Sequence, residues 1–505
     1  MPDGSAVGRR DGSEVAGRLG AEDVLLLAAV VGLPWFWGGV GLDAYRTAAA
    51  LVALAAGWAL VRHGASGLGL GRRTLWLLPA FLLGAWALAQ TVPLPRPWVA
   101  TLSPKAASIQ LSAFGPEGQG AAAWLRQIED DARARVPEAA SAVAASAGAL
   151  DLGPEAPAPP RRFTLSLQPD ATLECACWYA ALLLAFLLAH RRTADERRAA
   201  VYRAALFVSF GVLACVGILN HVTAPDRLLW LRAIPPDTRP FGPYVNPSHF
   251  AGVMELAVPW LLGYGLWALA ARGATHRGPD AGVLALAGAG VGAAAALLAA
   301  SKMAAATIGV ASVVLIAVAI RRGRRRRIVL ASAVAAALFL GAIALYGPLR
   351  GRVADFTAVQ RGGLSTSARG LAWTAGLRMA GDYTLTGSGF GAFSELIPAY
   401  LPRGDSGSWL QLHNDYLEVY LAGGLVAVAL VAWLAVAFVV RVARAVRSES
   451  ARGHVLPSLG LVLGLVALAV HETVDFNLQV PANALLFVVI AATSVAPRAG
   501  TAEGP

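Results

Sequence analysis

Charge is scarce in this 505-residue chain. Asp, Glu, Lys and Arg together make up 14% of it, whereas hydrophobic residues make up 56% and the mean hydropathy is +0.57. In soluble domains, about a quarter of the residues are charged. The composition therefore excludes an ordinary soluble domain and predicts a protein that crosses a membrane many times.

The chain contains few cysteines and few lysines. The three cysteines, Cys175, Cys177 and Cys215, have no His or Cys neighbours at metal-site spacing, so neither a disulfide framework nor a zinc site is indicated. Because only Lys105 and Lys302 are lysines, the net charge of +11 comes from arginine. The arginines cluster in short connections between hydrophobic segments, where anionic lipids and the positive-inside rule account for them. We expect membrane lipids as partners and no nucleic acid.

Hydrophobic segments of about 18 to 24 residues, the length that crosses a bilayer, occur twelve times. The sequence therefore predicts an all-α, polytopic transmembrane helical bundle of about 12 spans, with a large periplasmic loop region. The spans cover approximately residues 22–42, 44–62, 74–92, 172–189, 199–220, 248–271, 282–300, 303–320, 328–347, 415–440, 455–473 and 481–496.

The arginine clusters fall in alternate connections, which predicts that these connections and both termini are cytoplasmic. No cleavable signal pattern precedes the first span. Within the first long outer loop, the alternation over residues 162–167 predicts a short strand. The predicted division is a cytoplasmic tail (1–21), N-terminal spans (22–92), a periplasmic accessory loop (93–171), central spans (172–347), a periplasmic catalytic loop (348–414), C-terminal spans (415–496) and a cytoplasmic tail (497–505).

Two residues of the second long loop are the predicted catalytic residues. Arg369 carries a planar fork of donors that suits a phosphate group, and it begins an amphipathic stretch expected to lie along the membrane interface. His413 can take a proton from a sugar hydroxyl near neutral pH, and it is followed by Asn414, Asp415 and a hydrophobic span. A solvated arginine and a structural histidine are the alternatives for these positions. The same loop carries a glycine run at 387–391, which we expect to belong to the active site.

Other polar residues at the predicted outer boundary are candidate substrate-binding residues. Lys302 interrupts a hydrophobic run at a tight turn, where it either contacts phosphate or reaches to the surface as a plain lysine. For His249 and His471, helix capping or pairing with Glu472 or Asp475 is at least as good an interpretation. A metal site made of His249, His413, His471 and Asp475 has no support from spacing. The full substrate-binding set is Lys302, Arg361, Asn246, His249, Asn414 and His471.

Several motifs together resemble the bacterial O-antigen ligase and polymerase family. The resemblance runs from about residue 164 to residue 491. It is carried by residues 241–252, Ser301-Lys302, Arg369 with Trp373, residues 386–393, residues 413–418 followed by Gly423-Gly424-Leu425, and residues 471–476.

This resemblance implies a membrane glycosyltransferase of the GT-C kind in the bacterial inner membrane, with its active site facing the periplasm. Such enzymes transfer a glycan from undecaprenyl pyrophosphate to lipid A core, to another glycan or to a protein, without a cofactor or metal. The family's pyrophosphate-binding arginines correspond to Lys302 and Arg369, and its histidine corresponds to His413. Lysine keeps the charge at 302 but loses the bidentate fork.

Three other functions stay open at this stage. A polysaccharide polymerase that joins lipid-linked repeats would share the same loop motifs. A secondary transporter or flippase would need charges near the middle of spans, which are almost absent here. A non-catalytic scaffold gives no reason for Arg369, His413 and Lys302 to fall on one side of the membrane.

Overall fold

The computed structural model describes residues 19–112, 160–235, 239–271, 281–322, 368–402 and 409–497. The predicted ninth span (328–347), Arg361 and most of the accessory loop lie outside these residues. The helices, contacts and cavities named below belong to the described part of the chain.

Helices dominate the fold. The first group is α1 (Ala21–Gly32), α2 (Leu42–His63), α3 (Leu78–Thr91), α4 (Arg96–Leu102), α5 (Pro104–Ser112), α6 (Pro169–Arg192) and α7 (Glu196–Thr223). The second group is α8 (Pro247–Ala271), α9 (Ala281–Leu298), α10 (Lys302–Arg321), α11 (Ala368–Asp382), α12 (Phe393–Leu396), α13 (Asp415–Ala451), α14 (Val455–His471) and α15 (Pro481–Ser494). Short 3₁₀ turns cover Leu33–Trp35, Trp37–Gly39, Gly64–Leu68, Arg72–Leu77, Ile397–Ala399 and Asn477–Gln479.

Eight helical stretches among the described residues are long and apolar enough to cross a membrane. They are Leu42–Leu68, Arg72–Thr91, Pro169–Arg192, Glu196–Thr223, Pro247–Ala270, Ala281–Leu298, Lys302–Arg321 and Asp415–Ala451. Each overlaps a predicted span, so the prediction of a helical membrane protein is confirmed. The two predicted C-terminal spans correspond to the shorter apolar helices α14 and α15.

The predicted first span, 22–42, is not one continuous helix. Helix α1 ends at Gly32, and the chain then makes two 3₁₀ turns, the first of which contains Pro34. Gly38 has a φ of +73°, and a Cβ at that position would collide with the ring of Tyr244. The turn therefore needs glycine there, and the hydropathy of the segment gives no sign of the break.

Helix α8 lies at the centre of the bundle and packs against α9, α10 and α14. Of the most apolar stretch of this helix, 67% is buried inside the protein, a larger share than in the other candidate spans. Gly263 of α8 and Gly460 of α14 leave no room for a Cβ against the backbone of the opposite helix. Small residues at such crossings let membrane helices approach closely. This contact brings the C-terminal end of α14 to the N-terminal half of α8.

Two short antiparallel pairs of strands accompany the helices. Leu94–Pro95 pairs with Arg162–Phe163, and Arg227–Leu228 pairs with Arg232–Ala233. The predicted strand at 162–167 is thus present over its first two residues. It joins the two ends of the accessory loop beside α4.

The bundle has two chemically different ends. At the first, called the site end, α8, α10, α13 and α15 begin and α14 ends. At the second, called the arginine end, α13 ends and α14 begins, close to Arg441 and Arg444.

Candidate functional site

Asp475 is the centre of a cluster of basic side chains at the site end. It lies between α14 and α15, and its side chain is 1% exposed. One carboxylate oxygen, Oδ1, is 3.5 Å from Nε2 of His249 and 3.6 Å from Nδ1 of His413. The other, Oδ2, is 3.6 Å from Nε2 of His471 and 3.8 Å from Nη2 of Arg369. Four predicted site residues from separate parts of the sequence thus meet at one carboxylate.

The basic neighbours keep Asp475 ionised. Burial by itself raises the pKa of a carboxyl group, but interactions with the imidazoles of His249, His413 and His471 outweigh it. The pKa of Asp475 is therefore held well below its ordinary value. The carboxylate is a fixed negative charge that can orient and stabilise cationic partners.

The backbone at His413 is in the left-handed region, with a φ of +57°, which is uncommon for a residue with a side chain. Asn414 follows as the N-cap of α13, its side chain accepting a hydrogen bond from the backbone N–H of Leu417 at 2.9 Å. Nδ2 of Asn414 also donates to the carbonyl of Thr473 at 2.9 Å. The turn and the cap together fix the direction in which the imidazole leaves the chain.

The first residue of helix α13 is hydrogen-bonded to the loop that carries Asp475. The N–H of Asp415 donates to the carbonyl of Glu472 at 3.1 Å. The carboxylate of Asp415 accepts from the N–H of Leu478 at 3.1 Å and from Nε2 of Gln479 at 2.7 Å. These bonds lock the loop at 472–479 to the residues that follow His413.

One aromatic ring contacts two of the histidines. The rings of His249 and His413 both meet Phe476 edge-on, with centroids 4.5 Å and 4.8 Å away. His249 is buried, whereas the side chain of His413 is 27% exposed. Only His413 of this pair is open enough to meet a substrate directly.

A hydrogen-bonded network holds the start of α8 against α15. Oδ1 of Asn246 accepts from the N–H of Ser248 at 2.9 Å, and its Nδ2 lies 3.3 Å from Nε2 of His249. Nδ2 of the buried Asn483 donates to the carbonyl of His249 at 2.8 Å, and Tyr244 donates its hydroxyl to Oδ1 of Asn483 at 3.0 Å. Asn246 and His249 are therefore part of the framework around Asp475.

His471 continues the cluster into the bundle. Its Nδ1 is 2.8 Å from Oε2 of Glu255, a residue of α8 that is fully buried. The hydroxyl of Thr307 in α10 donates to the other oxygen of the same carboxylate. A chain of polar groups thus runs from α10 through Glu255 and His471 to Asp475.

Arg369 reaches the cluster from the first turn of α11. Its side chain is 46% exposed, so the guanidinium keeps much of its surface for a ligand. Nε1 of Trp373, one turn further on, donates to the carbonyl of Leu412 at 3.1 Å. This bond joins α11 to the residue before His413. A helix is present over the stretch predicted to be amphipathic, and it buries Ala372, Ala375 and Met379 among other residues, although Leu377 is exposed.

Lys302 is not joined to Asp475 by a contact among the described residues. Lys302 is the exposed first residue of α10, and Ser301 caps that helix by accepting from the N–H of Ala304 at 3.4 Å. Thr307 connects the same helix to the cluster through Glu255. Arg361 lies outside the described residues.

The glycine run at 387–391 has a packing role that the sequence did not reveal. The N–H groups of Ser388 and Gly389 donate to the carbonyls of Leu421 and Ala422 in α13. Helix α13 is kinked at Gly424, which has a φ of +65°. A Cβ at Gly387 or Gly424 would fall on the backbone of the opposite segment. The glycines permit this contact and are not joined to Asp475 by the contacts of the described residues.

Two acidic residues are more important in the site than the sequence suggested. In the sequence, Asp475 is a possible partner of a histidine, a member of the unsupported metal set and part of the motif at 471–476. Glu255 is a charged residue near the start of the predicted span 248–271. A signal existed, since buried carboxylates in membrane helices are rare and costly. The pairing itself depends on how α8 and α14 cross, which a single sequence does not display.

A metal centre finds no geometric support at this site. Within the described ranges, no group of three or more His, Cys, Asp or Glu side chains is arranged to hold a metal ion. The imidazole nitrogens of His249, His413 and His471 face the carboxylate of Asp475.

Residues 287–432 match the family model described as O-antigen ligase. This match confirms the resemblance to that family, and it covers Lys302, Arg369, His413 and Asn414. Asn246, His249, His471 and Asp475 lie outside the matched segment. No curated protein matches the chain significantly.

Proposed function

We propose that this membrane enzyme of the O-antigen ligase and polymerase type transfers a glycan from undecaprenyl pyrophosphate to an acceptor hydroxyl on the periplasmic face. One observation carries the proposal. Arg369 and His413, both accessible, lie within 3.8 Å of the same buried carboxylate, that of Asp475. Arg369, as a phosphate-binding cation, and His413, as a proton acceptor, are therefore accessible to the same substrate.

The donor's pyrophosphate binds at Arg369. The guanidinium fork pairs with phosphate oxygens, and the N-terminal end of α11 adds the partial positive charge of the helix dipole. Lys302, at the N-terminus of α10, is the second cation in this proposal, and Arg361 is a third candidate. Cations at the leaving group stabilise charge that develops there, an effect worth about 3 to 4 kcal/mol for a well-placed donor.

The acceptor hydroxyl binds beside His413. Its oxygen attacks the anomeric carbon as the bond from that carbon to the pyrophosphate oxygen breaks. The hydroxyl proton passes to His413, and undecaprenyl pyrophosphate leaves with the electron pair of the broken bond. Direct displacement of this kind inverts the anomeric configuration.

Asp475 acts as a positioning residue in this scheme. Its carboxylate faces Nδ1 of His413, which leaves Nε2 to receive the acceptor's proton. The negative charge also stabilises the imidazolium that forms. The nearby His249 and His471 hold the carboxylate in place from within the bundle, and Asn246 and Asn414 hold the turns that present the two catalytic residues.

Reconstituted protein provides the direct test. Purified full-length chain in liposomes receives a labelled undecaprenyl-pyrophosphate-linked glycan and a separate acceptor, such as lipid A core. We expect the label to move to the acceptor with release of undecaprenyl pyrophosphate, and His413→Ala to abolish the transfer. Full transfer by the His413→Ala protein would contradict the assignment.

The same assay distinguishes ligation from polymerisation. A polymerase needs no second kind of acceptor and gives lengthening chains from the donor alone. A ligase gives a single addition that requires lipid A core, a glycan or a protein. We favour ligation because the matched family model carries that description.

A further inference from the structure

A cavity of about 660 Å³ opens at the arginine end of the bundle, far along the helices from Asp475. It lies between the later turns of α8, the early turns of α7 and α14, and the last turns of α13 and α15. Four arginines line it, namely Arg73, Arg203, Arg441 and Arg444. The proposed transfer reaction uses none of them.

Two of these arginines are held by aromatic faces. The guanidinium carbon of Arg203 lies 5.1 Å from the ring centroid of Tyr264, and that of Arg441 lies 5.9 Å from the ring centroid of Trp76. Both arginines are partly buried. Among the described residues neither forms a hydrogen bond or an ion pair with a carboxylate. The rings hold the guanidinium groups by cation–π contact, which leaves their N–H groups available to an anionic ligand.

The cavity carries an excess of positive charge. Its lining holds four arginines and two carboxylates, Glu196 and Glu449, so two positive charges remain when histidine is neutral. Glu449 has partners of its own, with Arg452 at 3.4 Å and His454 at 3.3 Å. An anionic group is the ligand that this lining favours.

Another part of the cavity lining is apolar and aromatic. Trp260, Tyr264 and Trp267 of α8 face the cavity together with Leu461 of α14. Tryptophan and tyrosine prefer the interface between lipid head groups and acyl chains. A small soluble anion would leave this part of the lining unused, whereas a lipid would place its glycerol and upper acyl carbons against it.

We infer that this cavity binds the phosphate head group of an anionic phospholipid from the leaflet at the arginine end. Arg203 and Arg441 grip the phosphate through their N–H groups, and Arg73 and Arg444, both exposed, meet the outer part of the head group. This site is separate from the proposed reaction. It would exist whichever glycan the enzyme transfers.

The experiment uses the full-length protein in neutral detergent and three probes. Short-chain phosphatidylglycerol, short-chain phosphatidylcholine with the same acyl chains and inorganic phosphate are added separately, and binding is followed by native mass spectrometry and thermal unfolding. We expect phosphatidylglycerol to bind and raise the unfolding temperature more than the other two. Equal effects of both lipids, or of phosphate alone, would overturn the inference. This comparison requires no variant.

Matched variants then locate the site. We expect Arg203→Gln with Arg441→Gln to weaken phosphatidylglycerol binding about tenfold or more, because two charge-assisted contacts are lost. Arg447→Gln serves as the control, since Arg447 is an exposed arginine of α13 outside the cavity lining. Arg203→Lys with Arg441→Lys keeps the charge and should bind at an intermediate level. Unchanged binding in the glutamine variant would overturn the inference.

Discussion

Nδ1 of His413 lies 3.6 Å from Oδ1 of Asp475, although α13 and α14 separate the two residues in sequence. The contact exists because the start of α13 is hydrogen-bonded to the loop after α14. It makes the partly exposed imidazole and the buried carboxylate a single unit.

Replacing His413 should abolish most activity. We expect His413→Ala to lower the rate of transfer about 10²- to 10⁴-fold, which is the usual contribution of a positioned general base. The rate is measured with the reconstituted lipid-linked donor. His63→Ala is the control, because His63 is an exposed residue at the end of α2. Equal losses in the two variants would contradict a chemical role for His413.

Replacing Arg369 should weaken donor binding. We expect Arg369→Ala to lower kcat/KM for the donor about 10- to 100-fold, since a hydrogen bond to a charged group contributes about 1.5 to 3 kcal/mol. Arg369→Lys should recover part of this loss. Arg378→Ala is a control on the same helix. Arg378 is exposed, and its Nη1 makes a long hydrogen bond of 3.4 Å to the carbonyl of Tyr400 rather than a contact with Asp475. An effect of Arg378→Ala as large as that of Arg369→Ala would point to a general change in α11.

Asp475 should stabilise the fold over a defined pH range. Its folded-state pKa lies below the ordinary value of 3.8, so its contribution is present above about pH 4 and is lost as the pH falls through the lowered pKa. We expect Asp475→Asn to lower the unfolding temperature at pH 5 to 8. The difference from the unsubstituted chain should shrink below pH 4. A difference that instead grew on acidification would show that the carboxylate is not held ionised by its neighbours.

The Glu255–His471 pair should couple strongly. Both side chains are buried, and removing one leaves the other without its partner, at a cost of about 3 to 5 kcal/mol. We expect Glu255→Ala and His471→Ala each to lower thermal stability markedly, and the double variant to lose much less than the sum. Additive losses in this double-mutant cycle would mean that the pair has no interaction energy of its own.

The kink of α13 should require glycine. A Cβ at Gly424 would fall on the carbonyl oxygen of Leu385, and its φ of +65° is unfavourable for other residues. We expect Gly424→Ala to lower the free energy of unfolding by about 1 to 3 kcal/mol. Gly290→Ala is the control, because a Cβ there meets nothing within 4 Å. Comparable stability of both variants would contradict a structural role for the glycine run and the kink.

Much of the fold could be predicted because hydrophobic length is a local property. The eight long apolar helices follow from it directly, and so does the tight turn before Lys302. The break after Gly32 was not predicted, since it depends on Gly38 packing against Tyr244, a residue far along the chain. Helix crossings such as that of Gly263 with Gly460 are equally non-local.

The sequence predicted several residues of the candidate site, but it did not predict how they are arranged. Ionisable groups at span ends pointed to His249, Arg369, His413 and His471. Their meeting at Asp475 arises from the crossing of α8 with α14 and from the hydrogen bonds between the start of α13 and the loop after α14. The glycine run at 387–391 was predicted to belong to the active site, yet it serves the packing of α13.

Four basic side chains share the two oxygens of Asp475, so they compete for it. Removing one frees an oxygen toward which the others can shift, and the remaining members compensate in part. Measurements on single substitutions will consequently understate what the group contributes, and combinations will lose more than their separate effects suggest.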